Sequence, residues 1–173
     1  MTNWAFLDFA EALWANRGQI NLSPHQEALI RTVMSRTYYC FFHVMRRTCF
    51  PRGYAHHSDV ARYLYERATG LQGPKDRRIV SLYRSWMILW IARVFSDYAE
   101  FPFSIDETSA ARILGKVADL NLKRKFWETA DNKTKKALLD LISDSDSIEK
   151  TILPEARNAR KKLEGLLVDK VIP

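Results

Sequence analysis

The chain has few of the residues that break or cross-link a fold: six glycines, six prolines and two cysteines in 173 residues. Most of the Gly and Pro lie between periodic segments, which points to an all-α protein. Cys40 and Cys49 fall on one expected helix. Nine helical residues separate them by about 13 Å, beyond the reach of a disulfide, so two buried thiols in a reducing compartment are expected. There is no CxxC and no His/Cys cluster of the kind that holds zinc. None of the four histidines, His25, His43, His56 and His57, follows a Glu at the Glu-x-x-His spacing of a metal site in a helix bundle. No metal and no cofactor are therefore expected. No apolar run approaches a membrane span. The opening MTNWAFLDFAEALW carries acids and no basic leader, so it does not read as a signal peptide. The expectation is a cytoplasmic protein with no membrane partner.

What is present describes a folded chain with a concentrated positive charge. Apolar residues make up 47% and aromatics 12%, well above a disordered composition. The length suits one domain with a real core, or a domain with an appendage. The net charge is +7. Residues 31–93 hold twelve Lys/Arg, eleven of them Arg, against three acids; the rest of the chain carries a net −2. Arginines interleaved with Tyr, Phe and Trp suit phosphate contact and base stacking. The same pattern also describes solvated helix faces whose Arg stems cover apolar surface.

One stretch organises the rest. Ile79 to Glu100 is a long helical segment, and Trp86 to Ala92 within it is apolar throughout. A helix without a polar face belongs in the core. Yet Trp86, Trp90, Arg93 and Asp97 fall on one stripe, which places a charged pair on a buried element at a desolvation cost. Before it, Trp4 to Ala15 reads as a short amphipathic helix with Trp4, Phe6/Leu7, Ala10 and Leu13/Trp14 inward. Ser23-Pro24-His25-Gln26 reads as a capping box opening a helix that runs to about Cys49. His57-Ser58-Asp59 opens a third, closed by Thr69-Gly70. After the central helix, Ser104 to Glu107 reads as another capping box. Beyond Asn121 the composition shifts toward Lys, Asp and Ser, with three short helices expected over 122–130, 132–143 and 155–170, separated by SDSDS and Pro154. These suggest a main bundle over 1–120 and a C-terminal helical appendage, or partner-binding segment, over 121–173.

The candidate chemistry sits on two helices. Arg36, Tyr39 and His43 share one face, an alignment able to bind phosphate or move a proton; the simpler reading is core aromatics with Arg36 and His43 paired to carboxylates. Arg93, Asp97 and Tyr98 form the second set, with an i,i+4 ion pair as the simpler reading. His56-His57, without nearby acids or thiols, is a poor metal site.

The ordered set Ser35-Arg36, Tyr38-Tyr39, Phe42-His43, His57-Ser58, Arg93 with Asp97-Tyr98, and Ser104 to Ala110 resembles the HEPN superfamily (higher eukaryotes and prokaryotes nucleotide-binding), in particular the small prokaryotic members paired with minimal nucleotidyltransferases. It covers residues 23–120. The resemblance implies an up-down helical bundle, a homodimer with a basic cleft, and RNA or a nucleotide as ligand. It also implies metal-independent ribonuclease chemistry through Arg-x4–6-His, in a bacterial toxin–antitoxin or antiviral system with a nucleotidyltransferase antitoxin or other defence protein as partner. Carried over, it makes Arg93, His43, His57 and Asp97 candidate catalytic residues, and Arg36, Tyr39, Arg46, Arg47 and Tyr98 candidate phosphate or nucleic-acid contacts. The sequence departs from the pattern in one place: no His follows Arg93, and Asp97 stands there instead. The alternative is a non-catalytic helical adaptor for a protein or nucleic-acid partner.

Overall fold

The structure is a computed structural model that describes residues 4–19, 26–98, 106–116, 121–143 and 146–172. It is an all-α bundle, with no strand among the described residues. The helices are α1 (Ala5–Ala15), α2 (Gln26–Cys49), α3 (His57–Thr69), α4 (Arg77–Tyr98), α5 (Glu107–Lys116), α6 (Leu122–Thr129), α7 (Asn132–Ser143) and α8 (Leu153–Val168). A short 3-10 turn, Arg17–Gln19, follows α1, and a π turn, Ile148–Ile152, leads into α8.

α4 is the axis. Residues 85–92 are all buried, so the helix has no solvent face along its middle. It packs against α2, α3 and α8, with α5, α6 and α7 along its flanks, and α1 covers α2 from the other side. On α1, Trp4, Leu7, Ala10 and Trp14 turn inward as their spacing predicts. Phe6, expected inside, is instead 44% exposed, and Leu13 is half-buried. A single helix face cannot cover all six positions, and the 3-3-4 run from Trp4 to Trp14 fills the contact with α2.

Local signals account for most of the helix ends. Asp59 reaches back from the first turn of α3 to accept the His56 backbone N–H at 2.8 Å. Gly70 ends α3 at φ 82°, and its N–H donates to the Arg67 carbonyl. Asp106 accepts the Ser109 N–H at 2.6 Å and so caps α5. The capping boxes read at Ser23 and Ser104 lie outside the described residues.

Pro154 behaves differently from its reading as a separator. It stands inside a continuous helical run, and the turn before it widens to π, with the Leu153 N–H donating to Ile148 O. A proline has no N–H for the carbonyl four residues back, and its ring clashes with that carbonyl. Widening the preceding turn relieves both problems without ending the helix.

The C-terminal helices are fastened to the bundle by apolar and polar contacts. Leu138, Ile148, Ile152, Leu163 and Leu166 are completely buried, in one hydrophobic cluster with the residues of α1–α4. Ser85 on α4 donates to Glu155 on α8 at 2.7 Å. Trp14 Nε1 donates to Glu149 at 3.0 Å, and Arg157 bonds Glu11 at 2.7 Å. Cys40 and Cys49 are free thiols. Among the described residues, no helix is long and apolar enough to cross a membrane.

Candidate functional site

The C-terminal third of α4 meets α2, the start of α3 and α6 in a half-buried polar cluster. Arg93 is its centre, with a side chain only 15% exposed. Its Nη2 donates to Asp97 Oδ2 at 2.6 Å, one turn along the same helix, and to the Tyr39 hydroxyl on α2 at 3.1 Å. The guanidinium stands 5.5 Å from the Tyr39 ring centre and 5.9 Å from that of Tyr98. The Ser96 hydroxyl donates to the Arg93 carbonyl at 2.8 Å, with Asp97 Oδ1 farther off at 3.3 Å. Arg93 Nε, by contrast, is buried with no hydrogen-bond partner. A buried guanidinium N–H left unanswered costs on the order of 1–3 kcal/mol.

His57, the first residue of α3, lies beside this group. Its Nδ1 shares a 2.7 Å hydrogen bond with the hydroxyl of Tyr38, which is fully buried. The imidazole ring is 4.0 Å from Phe42 and 5.8 Å from Tyr39 between ring centres. Burial, then the positive charges of Arg93 and Lys123, with smaller contributions from His43 and His56, push its pKa down to about 4. His57 is therefore neutral at physiological pH.

Tyr39 links the candidates. Besides its bond to Arg93, its ring is 6.2 Å from that of His43, one turn along α2. His43 packs against Phe42 and Phe6 at 5.4 and 6.1 Å. Its pKa is lowered by burial, and then by Arg46 and Arg47. Arg36 lies apart from Arg93 and Asp97. It is exposed, and its guanidinium sits 5.9 Å from the Phe6 ring on α1. Arg46 turns toward Tyr54 in the turn after α2, and Arg47 faces solvent. The structure thus brings Tyr39, His57, Arg93, Asp97 and Tyr98 together, sets His43 at their edge, and places Arg36, Arg46 and Arg47 along the adjoining face of α2.

Two participants escaped the sequence reading. Tyr38 was quoted in the motif, but its bond to His57 depends on where α3 begins in space. Lys123, on α6, is completely buried, with Nζ 3.9 Å from the centre of the Trp90 ring. In the sequence it belongs to Leu122-Lys123-Arg124-Lys125, which looks like a solvated basic run. Its one signal is position: it lies three and four residues before Phe126 and Trp127, on the apolar side of α6. The site thus draws a cation from beyond the motif-bearing region.

Among the described residues, no three His, Cys, Asp or Glu side chains gather as metal ligands would. The cluster offers instead a clamped guanidinium with an open N–H, a second buried cation over an indole face, two phenols and a neutral imidazole. That set can receive an anion and exchange a proton with it. No family model, no curated protein and no solved structure matches the chain.

Proposed function

We propose that the protein binds RNA, with a backbone phosphate received at Arg93 and the adjoining nucleotide held against Tyr39 and Tyr98. The observation that carries this reading is the Arg93 guanidinium, held in one orientation by Asp97 and Tyr39 while part of its side chain stays at the surface. An arginine held this way presents an oriented positive charge, and a phosphate oxygen meets its exposed part with a charge-assisted hydrogen bond. The surplus of positive charge over residues 31–93 supports the same ligand. So does the HEPN resemblance, which supplies the setting: a homodimer in a toxin–antitoxin or antiviral system, with a nucleotidyltransferase or other defence protein as its counterpart.

A second reading, metal-independent cleavage, is favoured by one observation: a neutral His57 next to Arg93. A neutral imidazole can accept the ribose 2′-hydroxyl proton, which attack on the phosphate requires. A pKa near 4 makes it a weak base at neutral pH, so binding is the primary reading.

The test is RNA binding by the purified protein across a salt series, beside Arg93→Ala and His57→Ala. Binding that falls steeply with salt and is lost in Arg93→Ala supports the proposal. Equal binding by wild type and Arg93→Ala sinks it. RNA ends carrying a cyclic phosphate, produced by wild type and by neither variant, would promote the second reading. No RNA binding at all would leave an adaptor, with the same residues as a buried polar network.

A further inference from the structure

α2 carries a stripe of polar and basic residues beyond the cluster. Arg36, Tyr39, His43, Arg46 and Arg47 fall within about a third of the helix circumference, over about 16 Å of its length. Past its end, the turn Pro51-Arg52-Gly53 leads to Tyr54, whose ring is 77% exposed. That ring is not loose. The Arg46 guanidinium stands 5.8 Å from its centre, and the His56 ring meets it edge-on at 4.8 Å and 82°.

The arginines around it can be set beside those on α8. On α8, Arg157 and Arg160 each pair with an acid of α1. Among the described residues, the side chains of Arg36, Arg46, Arg47 and Arg52 find no carboxylate or hydrogen-bond partner, and Arg36 and Arg46 lie over aromatic rings instead. Arg46 and Arg47 sit in the last turn of α2, where cations favour the helix dipole. That accounts for two positive charges there, but not for Arg52 beyond the helix or for an exposed ring fixed among them. Beside Tyr54 lies a hollow of about 250 Å³, also lined by Phe50 and Tyr63, with Arg62, Asp59 and Glu66 at its polar side. The aromatic walls suit a flat ring, and the carboxylates, which already hold the His56 N–H and the Gln72 amide, keep lone pairs for N–H donors on it. Arginines on the approach suit the phosphates on either side of it.

We infer that the turn between α2 and α3 is a stacking subsite for an unpaired base, and that the RNA bound by this protein is single-stranded where it crosses Tyr54. The inference rests on the proposed RNA binding and adds the class of RNA. The strand runs from Tyr54 along Arg46 and His43 to Tyr39 and Arg93. A duplex keeps its bases stacked inside and has no free face for Tyr54, so its affinity does not depend on the ring.

The experiment compares a short fluorescent oligouridylate with an RNA duplex of equal length. Each is titrated against wild type, Tyr54→Ala, Tyr54→Phe and Arg93→Ala. Tyr54→Ala should weaken the single strand by about five- to hundred-fold and leave the duplex unchanged. Tyr54→Phe should bind both RNAs like wild type, and melting curves of both Tyr54 variants should match wild type because the ring is mostly in solvent. Wild-type affinity for the single strand in Tyr54→Ala would overturn the subsite; if Arg93→Ala still weakens binding, the central phosphate site survives that failure. Equal losses on both RNAs in Tyr54→Ala would overturn stacking in favour of a general electrostatic contribution. No RNA binding by wild type would overturn both readings together.

Discussion

The two ends of α4 treat charge in opposite ways. At the N-terminal end, polar groups are answered, and the arginines among them face water. Arg78 is clasped by Asp76 and Asp169, Arg84 by Thr134 and, more loosely, Asp131, and Ser85 donates to Glu155. These contacts fasten α7, α8 and the segment after it to the bundle. At the C-terminal end, Arg93 is withdrawn from solvent with one N–H unanswered, His57 is held neutral, and Lys123 is buried against Trp90. Structural ion pairs are cheap because water shares the load. A cluster that stays incompletely satisfied while buried persists only if something outside the bundle completes it, or if the packing around it outweighs its cost.

The comparison can be broken first at the N-terminal end, where α8 docks. Leu163 is completely buried. Leu163→Ala should cost about 2–5 kcal/mol, with thermal unfolding remaining one cooperative transition followed equally by circular dichroism and tryptophan fluorescence. Two separated transitions, the first confined to the C-terminal helices, would mean that residues 121–173 are an appendage, and that the contacts along α4 bind two units rather than build one.

The C-terminal end is tested by acid. His57 has a pKa of about 4 in the folded chain against 6.5 for the free side chain. Between those values the unfolded chain binds a proton that the folded chain refuses, so stability falls as pH drops from 6.5 toward 4. The full shift corresponds to about 3 kcal/mol, reduced because His57 keeps part of its surface in water. His57→Gln should flatten this part of the stability–pH curve. A His57 resonance titrating near 6.5 would show that the site is wetter and less cationic than its geometry implies.

How much of this was legible beforehand follows from the range of each interaction. Helix spans were readable because apolar spacing and caps act within a turn or two: α2 ends at Cys49 and Gly70 caps α3 as their residues predict. The Arg93–Asp97 pair was readable for the same reason. Pro154 misled because a local rule, that proline ends helices, was overridden by packing that holds the turns on both sides in place. Arg36 and Tyr39 share a face less than a turn apart, but the Arg36 guanidinium turns to Phe6 on α1 while Tyr39 reaches Arg93 on α4, a choice set by which helices become neighbours. Lys123 and the Tyr38–His57 bond were not legible, since they depend on which helices become neighbours.

Lys123 allows a finer test of the C-terminal end. Replacing a buried cation by an apolar side chain of similar length often leaves stability unchanged or raised. Lys123→Met should therefore melt within a few degrees of wild type. It also removes one of the charges that disfavour the imidazolium, so the pKa of His57 should rise while burial and Arg93 still hold it below 6.5. An NMR titration reads this directly. No movement of His57 would mean that Lys123 and the imidazole are insulated from each other, which would remove α6 from the site.

The smallest effect is expected from Arg84, and its size makes it the control for the rest. Its side chain is 56% exposed, its carboxylate partner Asp131 63%, and they are 3.6 Å apart. Water and salt screen such a pair, and the Thr134 hydroxyl that also accepts from Arg84 has water as a ready substitute. Arg84→Ala should leave the melting temperature within error of wild type. It should also leave RNA affinity intact, although it removes the same formal charge as Arg93→Ala. If both variants lose affinity equally, RNA is responding to total charge and the buried cluster has no special part in holding it. If only Arg93→Ala does, what matters is a guanidinium fixed in orientation by Asp97 and Tyr39, a property no count of arginines contains.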